Sequence, residues 1–187
     1  MYDLHSILIQ LKKEDTPLHG VMVRCVRCFY QWLDPTLLEG SALFELWAQE
    51  LELIYGDLRQ RLSPNAKTDA GSLGDRFGFD TPPELPRLLQ SIQTFYSVLI
   101  KFIAWNTLRG ATLEPPLTEL LSGRAFVNRG IRNFCGDDWY IWPLDIWDPA
   151  LEAQCEELRA CLEAFDTCPE GSTLSPDSLS RIYETVV

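Results

Sequence analysis

Histidine is almost missing from this 187-residue chain, in which His5 and His19 are the only two. Serine and cysteine hydrolases need a positioned base, usually histidine. Neither histidine sits in a motif, so that chemistry is not expected. Basic residues are also scarce: 16 Lys and Arg stand against 27 Asp and Glu, for a formal net charge of −11. Such a surface repels phosphate backbones unless its cations gather on one face. The densest basic group is Arg124, Arg129 and Arg132, so the chain standing alone is not expected to bind nucleic acid. No run reaches the roughly 18 apolar residues of a membrane span. The opening Met1-Tyr2-Asp3-Leu4-His5 lacks the basic-then-apolar pattern of a secretory signal. A cytoplasmic location with no membrane partner is the resulting expectation.

The six cysteines, at positions 25, 28, 135, 155, 161 and 168, carry no recognisable ligand set. Without a secretory signal, reduced thiols are expected. Cys25 and Cys28 form a Cys-x-x-Cys pair, which raises zinc or redox chemistry. Zinc needs two further ligands at close spacing, and a second such pair is missing. Two small buried residues on one helical face, three apart, account for the pair without a metal. Strand signals are nearly absent and no fixed-period repeat emerges, which points to an all-α chain.

Tryptophan is what the chain concentrates. Trp139, Trp142 and Trp147 lie in the stretch 128–148 with Tyr140 and with Asp137, Asp138, Asp145 and Asp148. Neither helical nor strand periodicity fits these rings, so the stretch is expected to cross a helical core as an aromatic strap. Elsewhere the apolar spacing is helical. Residues 3–13 and 17–33 read as two helices, with Pro17 in a first turn, and Asp34-Pro35 closes the second and opens a third. Leu43, Trp47, Glu50, Ile54, Leu58 and Leu62 trace one stripe of an amphipathic helix about 25 residues long. Ser63-Pro64-Asn65, Gly71, Gly74, Gly78 and Thr81-Pro82-Pro83 make 63–83 a loop. From Glu84 to Leu108 the chain is apolar over more than half a helix circumference, as in a central helix that Arg109-Gly110 would end. A short turn falls at 117–122. Asp148-Pro149 starts a helix to 165, and Ser175-Pro176 starts another with Leu179, Ile182, Tyr183 and Val186 on one face.

The expected organisation is one helical domain over 1–187, an irregular all-α multi-helix bundle with two long core helices. Helices 1–3 occupy 1–62, the loop 63–83, the central helix and short turn 84–127, the aromatic strap 128–148 and the C-terminal helices 149–187. The last apolar face stops at Val187 without a capping residue. A piece of a longer protein, or a part that joins a partner, would end in that way.

Two patterns imitate active sites. Asp137 or Asp138 with Asp145 could act as general acid and base on a sugar beside aromatic platforms. Turn-capping or water-facing carboxylates explain the same residues, and sequence spacing carries none of the geometry catalysis needs. The run from Gly71 to Gly78 could be taken for a phosphate cradle, yet it lacks a preceding strand and a Gly-Lys-Ser/Thr ending. No catalytic, cofactor-binding or metal-ligating residue is assigned.

Four blocks form a recognisable series. They are Leu43-Phe44-Glu45-Leu46-Trp47 running on to Ile54-Tyr55-Gly56-Asp57; Pro86 to Lys101; the strap with Asn133-Phe134, Asp138-Trp139-Tyr140, Trp142 and Trp147-Asp148-Pro149; and Leu179-x-x-Ile182-Tyr183-Glu184-x-Val186-Val187. In order, they resemble the N-terminal helical region of large N6-adenine DNA methyltransferases of bacterial restriction and phage-defence systems. In that family the closing helix runs into a Gly-x-Tyr-Tyr-Thr-Pro segment that opens the cofactor-binding domain, and this chain stops before it. The family's Asn/Asp-Pro-Pro-Tyr/Phe motif has no counterpart here, since the double prolines are Thr81-Pro82-Pro83-Glu84 and Glu114-Pro115-Pro116-Leu117. The run Asp34 to Phe44 echoes the S-adenosylmethionine loop only loosely, with wrong spacing and one glycine short.

The resemblance thus implies a non-catalytic helical scaffold or accessory domain of an adenine-specific DNA methyltransferase. Its partner would be a methyltransferase domain or another protein subunit, and it would reach DNA only through a larger assembly. S-adenosylmethionine and base flipping would belong to a missing or partner domain. The acidic composition supports an alternative, a free-standing adaptor that regulates a partner protein, as a DNA mimic blocking a basic cleft.

Overall fold

The computed structural model describes residues 4–34, 44–49, 73–108, 114–132, 134–135, 141–145 and 148–164. All regular structure among them is helical, so the all-α class read from the sequence holds. The named elements are α1 (Leu4–Lys12), α2 (Pro17–Trp32), α3 (Leu85–Leu108), α4 (Leu117–Leu121), α5 (Arg124–Val127), a 3-10 turn at Trp142–Leu144, and α6 (Pro149–Glu163). Residues 44–49 and 73–76 are helical as well. Helix α2 packs against α1, α3 and α6, and α3 also meets α4 and α6.

Helix starts follow cap chemistry. Thr16 sits in extended backbone, accepts the His19 N–H at 3.3 Å, and is followed by Pro17 in the first helical position. Asp148 repeats the arrangement for α6, with Oδ1 accepting the Ala150 N–H at 2.7 Å ahead of Pro149. Each such cap satisfies an amide that the helix itself leaves open, worth about 1 kcal/mol.

Helix α3 is the hub. Leu88, Ile92, Phe95, Leu99, Phe102 and Ile103 are buried in it, as are the polar residues Gln90, Ser91, Thr94, Lys101 and Asn106. At a helical period, Gln90, Thr94, Lys101 and Trp105 share an arc of about 60°. Two of these polar groups are answered by neighbouring segments. Thr94 Oγ1 accepts the indole N–H of Trp142 at 2.9 Å, and Lys101 Nζ donates to the Leu121 carbonyl at 2.9 Å. The second contact sets a cation against the carbonyl end of α4, where the helix dipole favours it.

The C-terminus of α2 is closed from α3. Arg87 Nε donates to the Tyr30 carbonyl at 2.6 Å, and Nη2 donates to the Gln31 carbonyl at 3.2 Å. Its guanidinium carbon lies 4.1 Å from the Tyr30 ring centroid, and the group pairs with Asp34 at 3.5 Å. The Tyr30 hydroxyl in turn accepts the Glu84 N–H at 3.0 Å.

The segment expected as a loop at 63–83 differs where it is described. Residues 73–76 make a helical turn, and Phe77 beyond it is fully buried. Gly78 ends the turn at φ +67°, with the Phe79 N–H returning to the Gly74 carbonyl and the Gly78 N–H to that of Asp75, both at 3.0 Å. This is a Schellman closure, which requires the left-handed residue that glycine supplies. Phe79 then meets Tyr30 edge-on at 4.8 Å, and Arg27 donates to the Gly78 carbonyl at 3.0 Å. Of the third expected helix, 44–49 is helical, with Phe44 and Trp47 buried and stacked at 6.3 Å. The rest of that helix, the Arg109-Gly110 ending and the helix after Ser175-Pro176 lie outside the described residues.

Candidate functional site

The described parts of the strap hold to the core at three points. Phe134 lies 4.4 Å from Phe126, which meets Trp105 edge-on at 5.7 Å. Gly123, at φ +78°, lets the Phe134 backbone in so closely that a Cβ there would stand 1.9 Å from its carbonyl oxygen. Trp142 is buried against Phe29, with ring centroids 5.8 Å apart, and gives its N–H to Thr94. Asp148 caps α6. Of the acids considered for sugar chemistry, Asp145 is exposed at the end of the 3-10 turn, while Asp137 and Asp138 lie outside the described residues, as do Trp139 and Trp147.

The Cys-x-x-Cys pair faces α6. Cys25 is buried with Sγ 3.6 Å from the Gln154 carbonyl, and Cys155 is buried beside it. Burial pushes the Cys25 thiol well above its ordinary value, and that of Cys155 up to about 12, with neighbouring thiols adding to both shifts. Burial, then the Asp148 carboxylate, raises Cys28. Thiols buried in this way pack as small apolar groups. Among the described residues, no cluster of His, Cys, Asp and Glu has a metal-holding arrangement. His19 is buried near the start of α2, and the side chain of His5 lies outside the described part. The glycine run reaches the described residues from Leu73 onward, where it forms the packed turn closed by Gly78.

One place gathers polar groups that lack protein partners. A recess of about 10 Å³ is lined by Phe102, Trp105, Asn106, Glu114, Pro115, Leu120 and Arg159. Asn106 is 6% exposed, and neither amide atom of its side chain has a hydrogen-bond partner, nor has the buried Trp105 N–H. The Trp105 ring is fixed by Phe126 on one side and by Arg129, whose guanidinium carbon lies 5.5 Å from the ring centroid. Arg159 pairs with Glu114 at 3.4 Å and with Glu156. Residues of α3, α6 and the segment ahead of α4 thus line a single small space. Sequence reading missed these residues. Asn106 alone left a trace, as an amide in an apolar helix.

What this geometry defines is a class, an all-α protein whose irregular segments are fixed to one central helix. Compared with known protein families, curated proteins and solved structures, the chain matches none. Among the described residues no helix is long and apolar enough to cross a membrane.

Proposed function

We propose that this chain is a non-catalytic helical scaffold of an adenine-specific DNA methyltransferase of a restriction or phage-defence system. The observation that carries the reading is the ordered series of sequence blocks that resembles the helical region of that family. The packing supports it, because several residues of those blocks brace the core. Phe44 and Trp47 are buried and stacked, the block from Pro86 to Lys101 forms much of α3, and Trp142 and Asp148 fix the strap and cap α6. DNA would be met through the assembly. Arg124, Arg129 and Arg132 are exposed on α5 and the turn after it, where an added duplex could take up their charge.

Reconstitution tests the proposal. The polypeptide encoded next to this chain is read for the Gly-x-Tyr-Tyr-Thr-Pro segment and purified with and without the chain. Expected are a stable complex, adenine methylation that depends on it, and no stabilisation of the isolated chain by S-adenosylmethionine. A clear rise in melting temperature of the isolated chain with that cofactor would overturn the proposal. So would a neighbouring protein whose methylation is indifferent to this chain.

A further inference from the structure

We draw no further inference here: the strongest candidate, the exposed arginine patch of α5 and the turn after it, belongs to the surface already described, where Arg129 is held by the Leu108 carbonyl and the Trp105 ring and nothing in the structure shows what covers Arg124 and Arg132.

Discussion

Replacing Arg87 by alanine should be among the more damaging single changes in the described part of the chain. The side chain bridges two helices, because it projects from α3 and closes the carbonyl end of α2 through Tyr30 and Gln31. Hydrogen bonds from a charged donor contribute about 1.5–3 kcal/mol each at most. The two share one side chain, so their sum overstates the loss. Stacking on Tyr30 at 4.1 Å adds about 1 kcal/mol. The ion pair with Asp34 is 3.5 Å long and its carboxylate is 34% exposed, so it adds little. A net cost of about 3 kcal/mol follows, which for a chain of this size is a fall of roughly 6–12 °C in melting temperature.

Urea unfolding followed by far-ultraviolet circular dichroism measures it, with the midpoint and slope fitted separately. Arg87→Lys discriminates the cause. Lysine keeps the charge and loses the planar fork that reaches two carbonyls and lies flat on a ring. If geometry dominates, the lysine variant recovers less than half of the loss. If charge dominates, it recovers most of it, and the deficit shrinks strongly when salt is raised to about 0.5 M. An alanine variant within about 0.5 kcal/mol of the native chain would refute the capping account altogether.

Trp142→Phe should cost about 2–4 kcal/mol through the lost indole N–H and the volume left behind, and a double-mutant cycle in urea with Thr94→Val should return a coupling of about 1 kcal/mol for their hydrogen bond. Gly123 and Gly130 share φ +78°, but a Cβ at Gly123 would strike the Phe134 carbonyl while one at Gly130 would meet nothing within 4 Å. Thermal melts should therefore show Gly130→Ala losing about 1 kcal/mol and Gly123→Ala at least about 3 kcal/mol. The Cys155 thiol has a native value of about 12 against an ordinary 9.0. Between those two values the unfolded thiol ionises while the native one stays protonated, so its contribution is complete below pH 9 and is lost as the pH rises toward 12. Denaturation midpoints across that window should fall less steeply in Cys155→Ala than in the native chain.

How much of this could be read from the residues depended on whether the signal was local. Helix α3 announces itself because 24 consecutive residues keep one period, and α6 because Asp148-Pro149 puts a cap and a first-turn proline side by side. The turn at 73–78 hides from the pattern for an equally local reason. Glycine and proline density reads as loop, yet Gly78 terminates a helical turn and Phe77 is core. Arg87 with Tyr30, Lys101 with Leu121, and Trp142 with Thr94 lie 20 or more residues apart in the chain, and no spacing rule joins them.

Those long-range pairs have a common form that bears on what α3 does. Apolar packing alone would let neighbouring segments slide along a helix with little change in buried area, since many hydrophobic arrangements of similar volume are tolerated. A buried polar group removes that freedom, because a shift of one turn leaves it unmet at a cost of about 1–3 kcal/mol. Thr94 accepts only if Trp142 sits opposite it, Lys101 donates only if α4 ends beside it, and Arg87 closes α2 only where Tyr30 and Gln31 lie. The polar residues on this otherwise apolar helix therefore act as position markers for the strap, α4 and α2 along its length. A scaffold that must present a fixed surface to a partner needs this kind of registry more than it needs added stability.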